Sequence, residues 1–306
     1  MKNPIKLDVG ESSFFRRQLE YIKSQTYDTK YKQLKAFSLI PISTEAPSGA
    51  DTITFRRFSG IGYAKIIADY VHDFPRVDVF GEEETIKVRS MGDSYGYSIK
   101  EIRRSQMAGT NLDQRRADAA RRAMDELTNT LSWRGDSTYS INGLIDYPGI
   151  TEYTVPLGAG GFKLWNTKTP DEIVADLSGI VTAVIDPTNG REAPDTMIMP
   201  IEQYQYITNT RMTGDSAKTI LTFFLENNQF IKTVDWVVEL KGAGAGGTDR
   251  FMVYEKSPRN LTQEFPQMFE QFPEQWKGME AVIHCHAETA GVVVYYPLSV
   301  AYGDGI

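Results

Sequence analysis

Cysteine is almost absent from this chain of 306 residues, Cys285 being the only one. A lone thiol excludes an internal disulfide framework and fits a reducing compartment. Histidine is nearly as scarce, limited to His72, His284 and His286, and no Gly-x-Ser-x-Gly elbow occurs. Nothing in the sequence meets the requirement for a nucleophile, a base and a group that orients the base, so no enzyme is expected. Long apolar runs are missing as well. No stretch approaches the roughly 18 residues of a membrane helix, and no membrane partner is expected. The opening MKNPIKLDVGESSFF has no apolar segment of the kind a secretory signal needs.

What remains is the composition of an ordinary globular protein, 41% hydrophobic and 24% charged. At this length a chain buries about three quarters of its unfolded surface, enough for one large domain or two small ones. The net charge of −7 hides an asymmetry: residues 1–35 carry eight Lys/Arg against four Asp/Glu, and residues 170–306 carry nine against nineteen. A basic arm ahead of an acidic body can pair between copies of the chain, or be a solvated tail with no further meaning. It lacks the dense Lys/Arg tracts of a dedicated nucleic-acid binder, so DNA is not expected as a specific ligand.

Residues 14–34 are aromatic-rich and partly helical in pattern, with Phe14, Phe15 and Tyr21 among them. After a turn-rich stretch, residues 52–58 alternate as a strand through Ile53 and Phe55, and Gly60 and Gly62 interrupt it. Residues 63–70 and 77–80 are further extended candidates. The alternation returns at Ile86 and Val88, after Glu82, Glu83 and Glu84. The whole region predicts a long β-loop with no room for a core of its own. Its apolar face must be buried by something else, and another copy of the chain is the expected cover.

Ser98 followed by Glu101 matches a capping box for a short helix through Ile99, Ile102 and Met107. Asn111 with Gln114 opens a second, long helix over residues 111–133, about 35 Å at 1.5 Å per residue. Leu112, Ala119, Ala120, Ala123, Leu127 and Leu131 form one narrow apolar stripe on it, suited to close packing by a sheet or a second helix. Thr169, Pro170 and Asp171 then open an amphipathic helix through Ile173, Leu177, Ile180, Val184 and Ile185 that ends before Pro187. Strands at 195–199, 233–240 and 250–255, alternating with helices from 201 and 216, predict a compact α/β body. Residues 280–302 are strand-like, and the apolar run 292–296 predicts a buried strand.

Three clusters invite chemistry. The glycine run 242–247 (GAGAGG) lies between two predicted strands rather than between a strand and a helix, and lacks the Lys-Ser/Thr that ends a P-loop. It reads as a flexible hairpin tip, and no cofactor is expected there. His284 and His286 share one face of a strand with Glu280 and Glu288, which would allow three ligands; a structural histidine pair is the commoner reading, and no metal is expected. Glu82, Glu83 and Glu84 are adjacent, so their side chains splay apart and read as a solvated turn, not an acid/base pair.

The order of these elements resembles the major capsid proteins of tailed bacteriophages with the Hong Kong 97-type fold. The segments FFRRQLE, YSIKEI and DQRRADAARRAMDEL and the ending MEAVIHCHAETAGVVVYYPLSVAYGDG carry the likeness, which spans essentially the whole chain. The resemblance implies an α+β fold in four parts: an N-terminal arm (1–40), an extended β-loop (41–97), a peripheral domain with a long spine helix (98–161 and 256–298), and an α/β axial domain (162–255 and 299–306). It implies a homo-oligomer of pentamers and hexamers closing an icosahedral shell around double-stranded DNA, assembled in the host cytoplasm and resident in the virion capsid. DNA would be touched without sequence reading. Ile53, Phe55, Ile86 and Val88, with the arm residues Phe14, Phe15 and Tyr21, are the expected subunit contacts. No helical scaffolding segment precedes the arm, so N-terminal processing is not expected, and any scaffolding protein would be separate, like the portal and cement proteins. Lys65 is a candidate donor for a covalent cross-link, but no acceptor follows from spacing and none is predicted. The alternatives are an encapsulin-type compartment, which shares this fold but encloses cargo enzymes, and a soluble α/β enzyme.

Overall fold

Pairing between strands far apart in sequence organises this chain. The computed structural model describes residues 32–62, 76–108, 114–213 and 217–306. The expected contacts Phe14, Phe15 and Tyr21, the candidate strand 63–70 with Lys65, and His72, Asn111 and Leu112 lie outside the described residues. In chain order come helix α1 (Ala36–Leu39), strands β1 (Ile42–Ser43), β2 (Thr52–Ile61), β3 (Asp78–Lys87) and β4 (Arg89–Ser98), helices α2 (Ile99–Ala108) and α3 (Gln114–Arg134), and strands β5 (Gly135–Asp136), β6 (Ile141–Asn142) and β7 (Thr151–Thr154). Then follow α4 (Pro170–Ile185), β8 (Thr196–Met199), α5 (Ile201–Asn209), α6 (Ile220–Asn227), β9 (Thr233–Trp236) and β10 (Arg250–Tyr254). The rest is strand-rich: β11 (Leu261–Glu264), β12 (Gln267–Gln271), β13 (Gln275–Lys277), β14 (Glu280–Thr289), β15 (Gly291–Val294) and β16 (Val300–Asp304).

The central sheet has the order β7-β16-β10-β8-β9. It is buried on both faces, and period-two alternation shows how. Met197, Met199, Phe251, Val253 and Ala301 enter one core with Ile173, Leu177, Ile180 and Val184 of α4. Ile198, Met252, Tyr254, Val300 and Tyr302 enter the other, with Trp133, Leu261, Val292 and Val294. That second core is closed by the sheet β1-β11-β15-β6-β5. Each fully buried side chain of this size contributes about 1.5–3 kcal/mol relative to exposure.

Helix α4 forms where local signals agree. Thr169 and Glu172 make a reciprocal capping box, Pro170 sits at the first position, and Pro187 cannot extend the helix. Gly179 gives the sheet close access, since a Cβ there would lie 2.2 Å from the Tyr153 hydroxyl. One ion pair is sealed beneath this layer. The Lys168 ammonium donates to Asp176 at 2.5 Å and to the Pro156 carbonyl at 2.8 Å, while the Trp165 indole N–H donates to Asp176 at 3.0 Å. The Lys168 and Asp176 side chains are only 1% and 3% exposed.

A third sheet, β12-β14-β13, takes β4 along the other edge of β14, from Arg89↔Thr289 to Ser98↔Glu280. Helix α3 packs on β4 and β14, with Met124 and Leu131 meeting Met91, Ile141 and Ala287. The predicted apolar stripe of this helix therefore splits. Ala120 and Leu131 are buried, whereas Ala119, Ala123 and Leu127 face solvent, Leu127 at 44% exposure. Neighbouring positions lie 100° apart on a helix, so a stripe of alanines leaves the buried face open until the neighbours choose it. Part of the buried face is polar: Asn129 accepts from the Ala36 N–H at 3.1 Å and donates to Glu239 at 2.8 Å.

Three further expectations are corrected. The predicted strand 233–240 ends at Trp236 and continues as a 3-10 turn, and β9 pairs with β8, not with β10. The glycine run is thus a crossover from the sheet edge past β8 to β10, not a hairpin tip. Glu82, Glu83 and Glu84 lie within β3 rather than in a turn. Within the expected loop 41–97, β1 and β4 join larger sheets, and β2 with β3 form a separate two-stranded ribbon.

Candidate functional site

The β2–β3 ribbon pairs with no other strand among the described residues, and its own chain covers it only in part. Its antiparallel ladder runs from Thr52↔Lys87 to Ile61↔Asp78, and a two-stranded ribbon by itself has too little apolar burial to be stable in water. Cross-strand partners share a face, so Ile53, Phe55 and Arg57 lie with Ile86, Glu84 and Glu82. The acidic run owes its strand conformation to this register. Arg57 meets Glu84 at 3.3 Å and Glu82 at 3.7 Å, and on the opposite face Arg56 meets Glu83 at 2.7 Å. Consecutive carboxylates that look like a turn in sequence alternate sides here, each facing an arginine.

Near its root the ribbon is anchored on its own chain. The Phe55 ring meets Tyr295 edge-on at 5.0 Å between centroids, and Arg57 donates to the Tyr295 carbonyl at 3.0 Å. Tyr295 is itself held by a polar network: its hydroxyl donates to Glu264 at 3.0 Å and contacts the Thr262 hydroxyl at 2.9 Å, and Ser43 donates to the same carboxylate group at 2.9 Å. Burial and the Glu264 charge push the phenol up to about 12. Of the four contact candidates in the described residues, Ile53, Phe55, Ile86 and Val88 are all half-buried in the single chain. Val88 donates its N–H to the Asp51 carbonyl at 2.9 Å, closing the ladder at its root. A cleft of about 600 Å³, lined in part by Ile42, Phe55, Arg57, Arg259 and Tyr295, separates the ribbon from the body.

Farther out the covering stops. Phe58 is 72% exposed, Val77 67%, Val79 65% and Phe80 58%. Among the described side chains of the ribbon and its approach, these residues, not the four predicted, are the most exposed apolar ones. The register puts Phe58 and Val79 on one face and Phe80 on the other, so both faces of the outer ribbon are sticky. Phe58 breaks the alternation of Ile53 and Phe55, since its even position sets it on the opposite face of β2. Apolar side chains of this size held open to water mark a contact surface. Two further exposed groups also had no sequence signature: Trp276 and Met279 on and beside β13, and Leu157, Phe162 and Leu164 on the loop after β7.

Among the described residues, the histidine pair and the glycine loop each have other partners. His284 is exposed, and His286 is half-buried, 3.9 Å from Glu288 and beside the Phe272 ring. No group of three His, Cys, Asp or Glu suited to a metal occurs among the described residues. Amides of the glycine loop that could meet a phosphate are already taken. Gly242 N–H donates to Asp249 at 2.9 Å and Ala245 N–H to Asp304 at 2.8 Å, so carboxylates occupy the place of an anion. Asp304 is in turn clasped by Arg250 at 2.7 and 2.9 Å, with Arg250 stacked on Tyr302, which ties β10 and β16 together. No described helix is long and apolar enough to cross a membrane.

The sequence matches the family model described as "Major capsid protein" over residues 62–306. No curated protein matches it. Among solved structures, the capsid of Myoviridae phage XM1 superposes with a TM-score of 0.78 at 17% identity, covering 95% of this chain and 98% of that one. A chain from Mycobacterium phage Adephagia gives 0.62 at 10% identity, covering 98% of each. The virus-like particle from Pyrococcus furiosus gives 0.56 at 14% identity, covering 87% and 91%. At these identities the likeness is one of fold.

Proposed function

The chain belongs to the major capsid protein family and has the Hong Kong 97-type fold, and on that premise we propose that it closes, through pentamers and hexamers, the icosahedral shell of a tailed phage around double-stranded DNA. Its role is structural and its place is the virion capsid. One observation carries the proposal beyond the family: a ribbon rooted on its own chain at Tyr295 but bare at Phe58, Val77, Val79 and Phe80. Such a ribbon gains burial by lying over a neighbouring copy, with Ile53, Phe55, Ile86 and Val88 completing the contact near the root. The arm residues Phe14, Phe15 and Tyr21 clamp an adjacent subunit in this reading.

The four-part division follows the same logic. Residues 1–40 serve as the arm, 41–97 as the loop, 98–161 with 256–298 as the peripheral domain, and 162–255 with 299–306 as the axial domain. The central sheet and α4 would build the rings, and α3 with the β4–β14 sheet would join ring to ring. Packaged DNA meets the wall without sequence reading, and the acidic body limits adhesion to phosphates. Assembly occurs in the host cytoplasm, with scaffolding, portal and cement proteins as separate partners. A shell around cargo enzymes is the alternative, and the likeness to the phage XM1 capsid exceeds that to the Pyrococcus particle.

Electron microscopy of the purified protein tests the reading. Closed particles are expected from the wild-type chain, and none from a Phe58→Asp, Phe80→Asp double variant that keeps its folded circular-dichroism spectrum. Wild-type protein that stays monomeric at high concentration would overturn the shell, and particles filled with protein rather than nucleic acid in the host would favour the cargo alternative.

A further inference from the structure

Two carboxylates meet at the seam between the central sheet and the β11–β15 sheet. Glu192 lies on the connection from α4 to β8, and Glu255 follows β10 directly; both are half-buried. The side-chain amide of Asn260, itself buried at the start of β11, donates to Glu192 at 2.7 Å and to Glu255 at 2.9 Å. One amide nitrogen therefore spends both of its protons on two acids. No Lys, Arg or His forms an ion pair with either acid among the described residues. Three neighbouring charged groups are engaged elsewhere. Asp195, a third carboxylate in the neighbourhood, accepts from the Lys256 N–H at 2.8 Å and the Thr196 hydroxyl at 2.9 Å. The Lys256 ammonium reaches the Ser38 carbonyl, and Arg191 Nε donates to the Thr188 carbonyl at 3.2 Å.

Two uncompensated carboxylates around one donor cannot both ionise without repulsion, and a proton between them removes it. We propose that Glu192, Asn260 and Glu255 form a proton-operated joint: one proton shared by the two acids holds the two sheets together, and its loss loosens the seam. Burial, then the hydrogen bond and the charge of Glu192, raise the Glu255 carboxyl above its ordinary range, against the lowering effect of Asn260. A group whose pKa is raised in the folded state contributes stability that is complete below its unfolded value and is lost as pH rises through the folded value. The joint is thus tightest in acid. It also touches the ribbon's anchor, because the Asn260 carbonyl accepts from the Tyr295 N–H at 2.8 Å. The proton therefore acts one hydrogen bond away from the residue that holds Phe55 and Arg57.

The inference is independent of shell building and is tested on the unassembled full-length chain. Carbon-13 carboxyl NMR of glutamate-labelled protein should show Glu255 titrating above the ordinary value of about 4.3 and returning toward it in Glu192→Gln. The melting temperature of Glu255→Gln should equal wild type in acid and exceed it increasingly as pH rises, by on the order of 2 °C near neutrality. An ordinary Glu255 titration in the wild-type chain would overturn the joint. A Glu255→Gln difference that is the same at every pH would do so as well. Should Glu255→Gln fail to fold, the wild-type and Glu192→Gln titrations decide alone.

Discussion

The central sheet and the β2–β3 ribbon are both antiparallel ladders at their heart, yet they do opposite work. In the sheet, β8, β10 and β16 send alternate residues into two cores, so each strand is sealed on both faces. In the ribbon, one face is half-covered near the root and both faces are open farther out. Hydrogen bonding within the ladder is similar in the two, so it cannot be what distinguishes them. Apolar burial is. The sheet buries its apolar surface inside one chain and so stabilises the subunit; the ribbon leaves its outer apolar surface open, available for the proposed contact with a neighbour.

Substitutions should therefore sort by region. Trp133→Ala empties a fully buried site between the sheets, and a loss of ~3–5 kcal/mol in denaturant unfolding is expected. Lys168→Ala leaves Asp176 buried without its cation, with a loss of the same order, ~3–5 kcal/mol. Burial already raises the Asp176 carboxyl. Protonation neutralises the stranded acid, so the deficit of this variant should narrow as pH falls, which unfolding curves at several pH values would read. Thr169→Ala removes one half of the capping box and should cost ~0.5–2 kcal/mol. At the bottom of the scale, Phe58→Asp with Phe80→Asp should change subunit stability by no more than ~0.5 kcal/mol, because neither side chain is covered. The same pair is expected to abolish particles. If it instead unfolds the subunit as Trp133→Ala does, the contrast between sheet and ribbon fails.

Much of the fold was legible where local signals agree with the tertiary outcome. Helix α4 carries its own caps, its proline stops and a helical period, and it runs over Pro170–Ile185 as expected. The short helix after Ser98 begins with the expected box, Ser98 and Glu101 exchanging bonds at 3.0 and 3.3 Å. The buried strand at Gly291–Val294 was equally plain from its valines. Where a choice depended on distant partners, the sequence was silent or misleading. The buried face of α3 was set by β4 and β14, and β9 looked like the partner of β10 only because the two are adjacent in sequence. The acidic run at Glu82 looked like a turn because its partners Arg56 and Arg57 come from another strand.

The candidate contact surface divides in the same way. Alternation at Ile53, Phe55, Ile86 and Val88 revealed an apolar ribbon and the need for a cover. It could not reveal that the root already has one in Tyr295, or that the barest residues lie beyond it at Phe58, Val77, Val79 and Phe80. By itself the sequence determined the kinds of elements and their order, since periodicity, caps and residue types are local properties. Only the tertiary structure decided which faces are sealed, which strands pair, and that Glu192 and Glu255 share one amide. Those outcomes depend on distances between residues remote in the chain, and such distances exist only once the chain has folded.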